Sequence, residues 1–112
     1  MPILTAEYAN LNHEEMASAI GLKPKHIPML VGSFIDESST IMQNLKTAID
    51  SSDYTNIKMH AHSIKGSAGN LKFSEVYEMA KEMELSAMES QADFDYNSYF
   101  DAITAAIATI KL

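Results

Sequence analysis

The sequence predicts an all-α protein: an antiparallel up-down-up-down four-helix bundle with a short extra helix at the N-terminus. Three observations predict it. Apolar residues recur at three and four through four long windows, as in Tyr96, Phe100, Ile103, Ile107 and Ile110. Four glycines and three prolines leave few strand or hairpin signals. The polar stretches between the windows are short, and short connections make neighbouring helices antiparallel. At 112 residues, 46% of them apolar, the chain is expected to form one domain, 1–112, around one modest core.

Residues 1–11 read as a lead-in. Asn12 is suited to cap a first helix, with Glu15 three on completing a capping box. That helix is short, from His13 to about Ile20, where Gly21 ends it. His13 is expected to be exposed. The second helix opens between Lys23 and Ile27, because Pro28 is tolerated in a first turn and costly further in. Ile27, Leu30, Val31, Phe34, Ile41, Leu45 and Ala48 mark its apolar face, to about Ile49. Ser38 falls within that face, where a larger apolar residue is expected. His26 reads as a surface residue.

Asp53 is a good N-cap for a third helix over about 53–72. Phe73-Ser74 breaks it. A fourth helix then begins at Lys72 or Ser74. Phe73, Val76, Tyr77, Ala80, Met83 and Ala87 form its core side, and Glu75, Glu78, Glu82 and Glu89 its solvated side. After a polar loop, Asp93 or Asp95 caps the last helix, whose apolar repeat predicts a buried seam running to the chain end. Eight methionines are many, and gap filling in the core is the expected role.

Composition excludes several function classes. There is no cysteine, hence no disulfide and no thiol chemistry. The N-terminal MPILTAEYANL has no basic residue and no sustained apolar run, so no signal peptide is read there. The most apolar segment, residues 102–110, is too short to span a bilayer. No membrane partner and a cytoplasmic location are expected. A net charge of −7 and a pI near 4.9 argue against a nucleic-acid partner. The absence of arginine and tryptophan points to a transient interface.

The stretch 54–72 departs from this acidic background. It holds Lys58, Lys65 and Lys72, together with His60 and His62, and no acid at all. On a helix, stepping about 100° per residue, Ile57, Ala61, Ile64, Ala68 and Leu71 fall in one stripe about 80° wide. His62 then lies about 140° from the stripe's centre, facing solvent, and His60 about 60° away, at the edge of the core. The two histidines do not face each other, so they are a poor metal pair. Gly66 and Gly69 each cost a helix interior roughly 1 kcal/mol relative to Ala. Both fall on the His62 side, where a bare backbone lets another surface approach the imidazole.

These residues carry a resemblance. His62-Ser63-Ile64-Lys65-Gly66-Ser67 resembles the phosphoacceptor motif of histidine-containing phosphotransfer (HPt) domains: a histidine, lysine three on, glycine four on, then a small residue. The order of a short helix, a long one, the histidine helix and two more is also similar. One departure is visible: the family usually has a glycine where this chain has Lys72, which leaves the end of the histidine helix in question.

A neutral imidazole is a competent nucleophile near neutral pH, and the phosphoryl group it would accept carries close to two negative charges. Lys65, one turn from His62, can pair with that charge, and Lys58 can add to it. No glycine-rich nucleotide loop is present, so the chain is expected to be no enzyme of its own and to bind no ATP. The resemblance implies a phosphorelay intermediate that takes a phosphoryl group on His62 from a receiver-domain aspartate or a histidine kinase and passes it to a response-regulator aspartate. Its partners would be receiver domains and a sensor (hybrid) histidine kinase. It would carry no cofactor or metal itself, the Mg²⁺ lying on the receiver. Docking is expected to use Lys58, Met59, Gly66 and Gly69, with Phe34-Ile35-Asp36 a guess for the second helix. A monomer is expected. The alternative is a helical adaptor that binds a signalling partner without chemistry.

Overall fold

The computed structural model describes residues 6–110. Among them are five α-helices and no strand: α1 (His13–Ile20), α2 (Ile27–Asp50), α3 (Tyr54–Asn70), α4 (Ser74–Met88) and α5 (Tyr96–Ala108), with a single 3-10 turn, Pro24–His26, leading into α2. Local chemistry sets the starts. Asn12 Oδ1 accepts from the Glu15 amide at 3.1 Å, Asp53 Oδ1 from Asn56 at 3.2 Å and Asp95 Oδ1 from Ser98 at 3.0 Å. Pro28 falls in the first turn of α2, where its missing N–H costs nothing.

Four helices end in the same paired hydrogen bonds. At α3 the Phe73 amide bonds back to the Ala68 carbonyl at 2.9 Å and the Lys72 amide to Gly69 at 3.1 Å. The residue at the left-handed turn is Gly21 after α1, but Ser52 after α2, Lys72 after α3 and Ser90 after α4, with φ of 52°, 62° and 51° for these three. The histidine helix therefore stops at Asn70, two residues short of the expected 72.

The start of α4 has no local side-chain cap. Tyr8, in the lead-in, supplies one: its hydroxyl accepts from the Val76 amide at 3.3 Å and donates to Glu75 at 3.0 Å. Its ring stacks on Phe73, with centroids 4.5 Å apart. Burial and the Glu75 carboxylate beside it push the Tyr8 hydroxyl well above the usual phenol range. The expected signal-peptide-free N-terminus lies partly outside the described residues, as does the last part of the predicted terminal seam, 111–112.

Packing closes a ring: α2 against α3, α3 against α4, α4 against α5, and α5 back against α2. Ile27, Leu45, Ile57, Ile64, Met79 and Ile103 are fully buried between them. Several expectations need correction. The buried line of α5 is Tyr96, Tyr99, Ile103 and Ala106, while Phe100, Ile107 and Ile110 are half-buried. Leu30, Ile41 and Tyr77 are likewise half-buried, and Met42 is in the core. Glu75 and Glu82 are not simply solvated, since they bond the Tyr8 and Tyr99 hydroxyls. The methionines divide: Met42, Met79 and Met83 fill the core, whereas Met29, Met59 and Met88 are exposed. His13 and His26 are half-buried rather than fully exposed.

Candidate functional site

The α3 stripe Ile57, Ala61, Ile64 and Ala68 is buried to 1% exposure or less, which turns the opposite face outward. His62 lies on that face with 67% of its side chain accessible, and His60 is half-buried at the core edge. The imidazole is not free, however. Its Nδ1 lies 2.6 Å from Glu84 Oε2, and the other oxygen of the same carboxylate, Oε1, accepts from Lys65 Nζ at 2.6 Å. One carboxylate of α4 therefore grips both residues of the α3 motif.

Glu84 is the residue that sequence reasoning missed. It is 8% exposed, at the core spacing of α4 between buried Ala80 and Ala87. Its carboxyl is held below the usual carboxylate range. Burial alone would raise it, but the hydrogen bonds and charges of Lys65 and His62 together outweigh burial. A signal existed in the sequence: Glu84 is an acid on the apolar period of its helix, and such a group needs a cationic or donating partner.

The protonation pattern follows from the acceptors. An ionised carboxylate can only accept, so the hydrogen between Glu84 and His62 belongs to Nδ1. The neutral ring then carries its lone pair on Nε2, the nitrogen turned away from Glu84. The arrangement fixes the tautomer and orients the ring by a carboxylate behind it, leaving the Nε2 lone pair, which can act as a nucleophile, on the far side of the ring.

The remaining predicted positions fall around this centre unevenly. Lys58 and Met59 are exposed one turn before His62, Met59 at 51%. Lys65 is only 23% accessible and already paired. Gly66 is exposed, and a Cβ built there meets nothing within 4 Å. Gly69 has a reason inside the chain: a Cβ there would stand 3.2 Å from Cδ2 of Tyr77, whose ring covers it. On α4, Leu85 and Met88 are exposed beside Glu84.

Of the second-helix guess, Asp36 is exposed. Phe34 is in the core at 3% exposure, packed on Phe73, and Ile35 lines a groove shared with α5. Phe34 also lines a shallow groove of about 330 Å³ on the α3 side, with Leu30, Ser33 and Glu37 of α2 and Ser67 and Asn70 of α3. Among the described residues, no helix is long and apolar enough to cross a membrane.

Comparison with known proteins identifies a family. A family model described as "Hpt domain" matches residues 29–111, from the first turn of α2 onward. Comparison with curated proteins and with solved structures returned no match. With an outward histidine at the head of the motif and a family match over most of its length, the chain belongs to the Hpt domain family, the phosphotransfer modules of phosphorelays and two-component signalling.

Proposed function

We propose that this protein is a phosphorelay intermediate and that His62 is its phosphoacceptor. The observation that carries the reading is the pairing of an exposed imidazole with a buried carboxylate on its Nδ1. In the forward step the Nε2 lone pair attacks the phosphorus of a receiver-domain aspartyl phosphate. The N–P bond forms as the P–O bond to the aspartate breaks, and the aspartate leaves as a carboxylate. Nδ1 keeps its proton, so positive charge develops on the ring, and the Glu84 carboxylate lies against it. The reverse step delivers the phosphoryl group to a second receiver aspartate.

Lys65 has two suitors. In the resting protein it pairs with Glu84, and on His62 phosphorylation the phosphoryl oxygens compete for it. Lys58 adds exposed charge on the same face. The partners are receiver domains, which bring the aspartate and its Mg²⁺, and a sensor or hybrid histidine kinase. The chain supplies no cofactor, acts as a monomer and works in the cytoplasm. The docking face is centred on Gly66, with Met59, Gly69 and the α2 residues Leu30 and Ser33 around it. An up-down-up-down order of the four longer helices accords with the short connections and with the reversed register of α3 on α4, His62 meeting Glu84 while Gly69 meets Tyr77.

The test is phosphotransfer from a receiver domain charged with a small-molecule phosphodonor and Mg²⁺. Acid-labile, base-stable phosphate is expected on the wild type and none on His62→Gln, with helix content equal in both. Label retained on His62→Gln and lost on His60→Gln would refute the assignment. Absence of label from every receiver, with partner binding intact, would leave the adaptor reading in its place.

A further inference from the structure

Two lysines stand beside the Glu84 carboxylate, and one of them is paired with it. Glu84 is 8% exposed, and its Oε1 accepts from Lys65 Nζ at 2.6 Å. Lys81 lies one turn earlier on α4, exposed, and makes no ion pair among the described residues. Positions three apart are neighbours on a helix surface. Helical side chains lean toward the start of their helix, so Glu84 leans back over the turn that carries Lys81. The packing of α3 on α4 brings the two lysines to the same place. His62 meets Glu84 and Gly69 meets Tyr77, so the register is reversed between the two helices. Counting inward from either contact sets Lys65 opposite Lys81. Lys58 is on the other side of His62, one turn before it.

A carboxylate this enclosed needs a counter-charge. A phosphoryl group on Nε2 competes for Lys65. Drawing Lys65 off leaves Glu84 with the His62 Nδ1–H alone and strands its Oε1. The Glu84 side chain keeps 11% of its surface open, so a second cation can approach it. For Lys81 to do so, only its own rotamer has to change.

We propose that Lys81 is a positioning residue that takes the place of Lys65 on Glu84 when Lys65 turns to the phosphoryl group, an inference that rests on the phosphorelay reading of His62. Glu84 then stays ionised on Nδ1–H throughout the transfer, and Lys65 is released without leaving a buried charge alone.

The first test needs no phosphotransfer. Lys65→Gln imitates the departure of Lys65 from Glu84. Lys81→Gln is expected to leave the urea midpoint of the otherwise wild-type protein where it is and to lower it in the Lys65→Gln background. Equal effects in the two backgrounds, or none in either, would overturn the proposal. The second test reads the equilibrium of the phosphoryl group between His62 and a receiver aspartate. Lys81→Gln is expected to shift it roughly 2- to 5-fold toward the receiver, the worth of a partly exposed ion pair. Lys81→Arg should restore it, and in a Glu84→Gln background Lys81→Gln should shift nothing. The same shift in that background would place Lys81 on the phosphoryl group or the partner, and the proposal would fail. Label on the wild type with no shift in Lys81→Gln refutes the proposal alone, whereas a wild type that takes no label refutes the phosphorelay reading and the proposal with it.

Discussion

Glu84 does for His62 what a single helix cannot: it restrains a side chain that otherwise rotates freely in water. Two charge-assisted bonds from one buried carboxylate hold the imidazole and Lys65. Glu84→Gln preserves an acceptor for Nδ1–H but removes the charge behind the ring and the ion pair to Lys65. Phosphotransfer by this variant is expected to slow roughly 10- to 100-fold, as for other supporting partners of a reactive group. Stability should fall by only about 1 kcal/mol, because His62 is open to water. Rapid-quench transfer kinetics and urea unfolding measure the two effects, and an unaltered transfer rate would remove Glu84 from the mechanism. The pH dependence has a definite sign. A carboxyl depressed in the folded state contributes stability above its unfolded value and loses it as pH falls through the folded one. The gap in urea midpoint between wild type and Glu84→Gln should therefore be present at pH 7 and shrink below about pH 4.5. His62 and Lys65 were legible from spacing in one helix, but Glu84, 22 positions from His62, became visible only when α4 packed on α3.

The helix ends show which signals an element carries in its own sequence. Asn12, Asp53 and Asp95 announce helix starts because a capping bond reaches only three residues. The stops are harder to read. Three left-handed turns are occupied by Ser52, Lys72 and Ser90, residues that do not advertise that conformation. Lys72 stands where related domains usually place glycine, and it adopts the backbone geometry that glycine would. Lys72→Gly is expected to stabilise the protein by about 1 kcal/mol by relieving a side chain at positive φ. Ser52→Gly and Ser90→Gly should move the urea midpoint in the same direction. Destabilisation at Lys72 would mean that its side chain makes up for the strain. The start of α4 was illegible for another reason: its cap is Tyr8, 68 residues away, and no local pattern encodes such a bond.

At the scale of the whole molecule, the two glycines of α3 separate an internal need from an external one. Tyr77 covers Gly69, so the packing of α3 on α4 accounts for it. Among the described residues nothing lies within 4 Å of a Cβ built at Gly66, yet a glycine there costs α3 roughly 1 kcal/mol relative to alanine. In the proposed docking mode the benefit lies with the partner, whose surface comes close at this bare backbone. Gly66→Gln should raise the Tm of the isolated protein while weakening receiver binding and slowing transfer at least tenfold. Isothermal titration against a receiver, together with thermal unfolding, checks both arms. Unchanged affinity would leave Gly66 without a docking role. Gly69→Ala should instead disturb the isolated fold, because its Cβ would press on the Tyr77 ring.

By itself the sequence determined the helices, the inward stripe of α3 and the outward His62, because helical period and short-range caps are properties of consecutive residues. It also carried the motif that relates the chain to its family. Tertiary structure alone decided what surrounds that histidine. Packing α4 on α3 brought Glu84 under both His62 and Lys65, gave Gly69 to Tyr77, and left Gly66 bare. In the core face of α2 the Ser38 hydroxyl was left buried with no hydrogen-bond partner among the described residues. These are contacts between residues distant in the chain, set by the rotation of each helix about its own axis. A stripe of apolar residues fixes that rotation only to within its own width of about 80°. The close fit of side chains in the core settles the remainder.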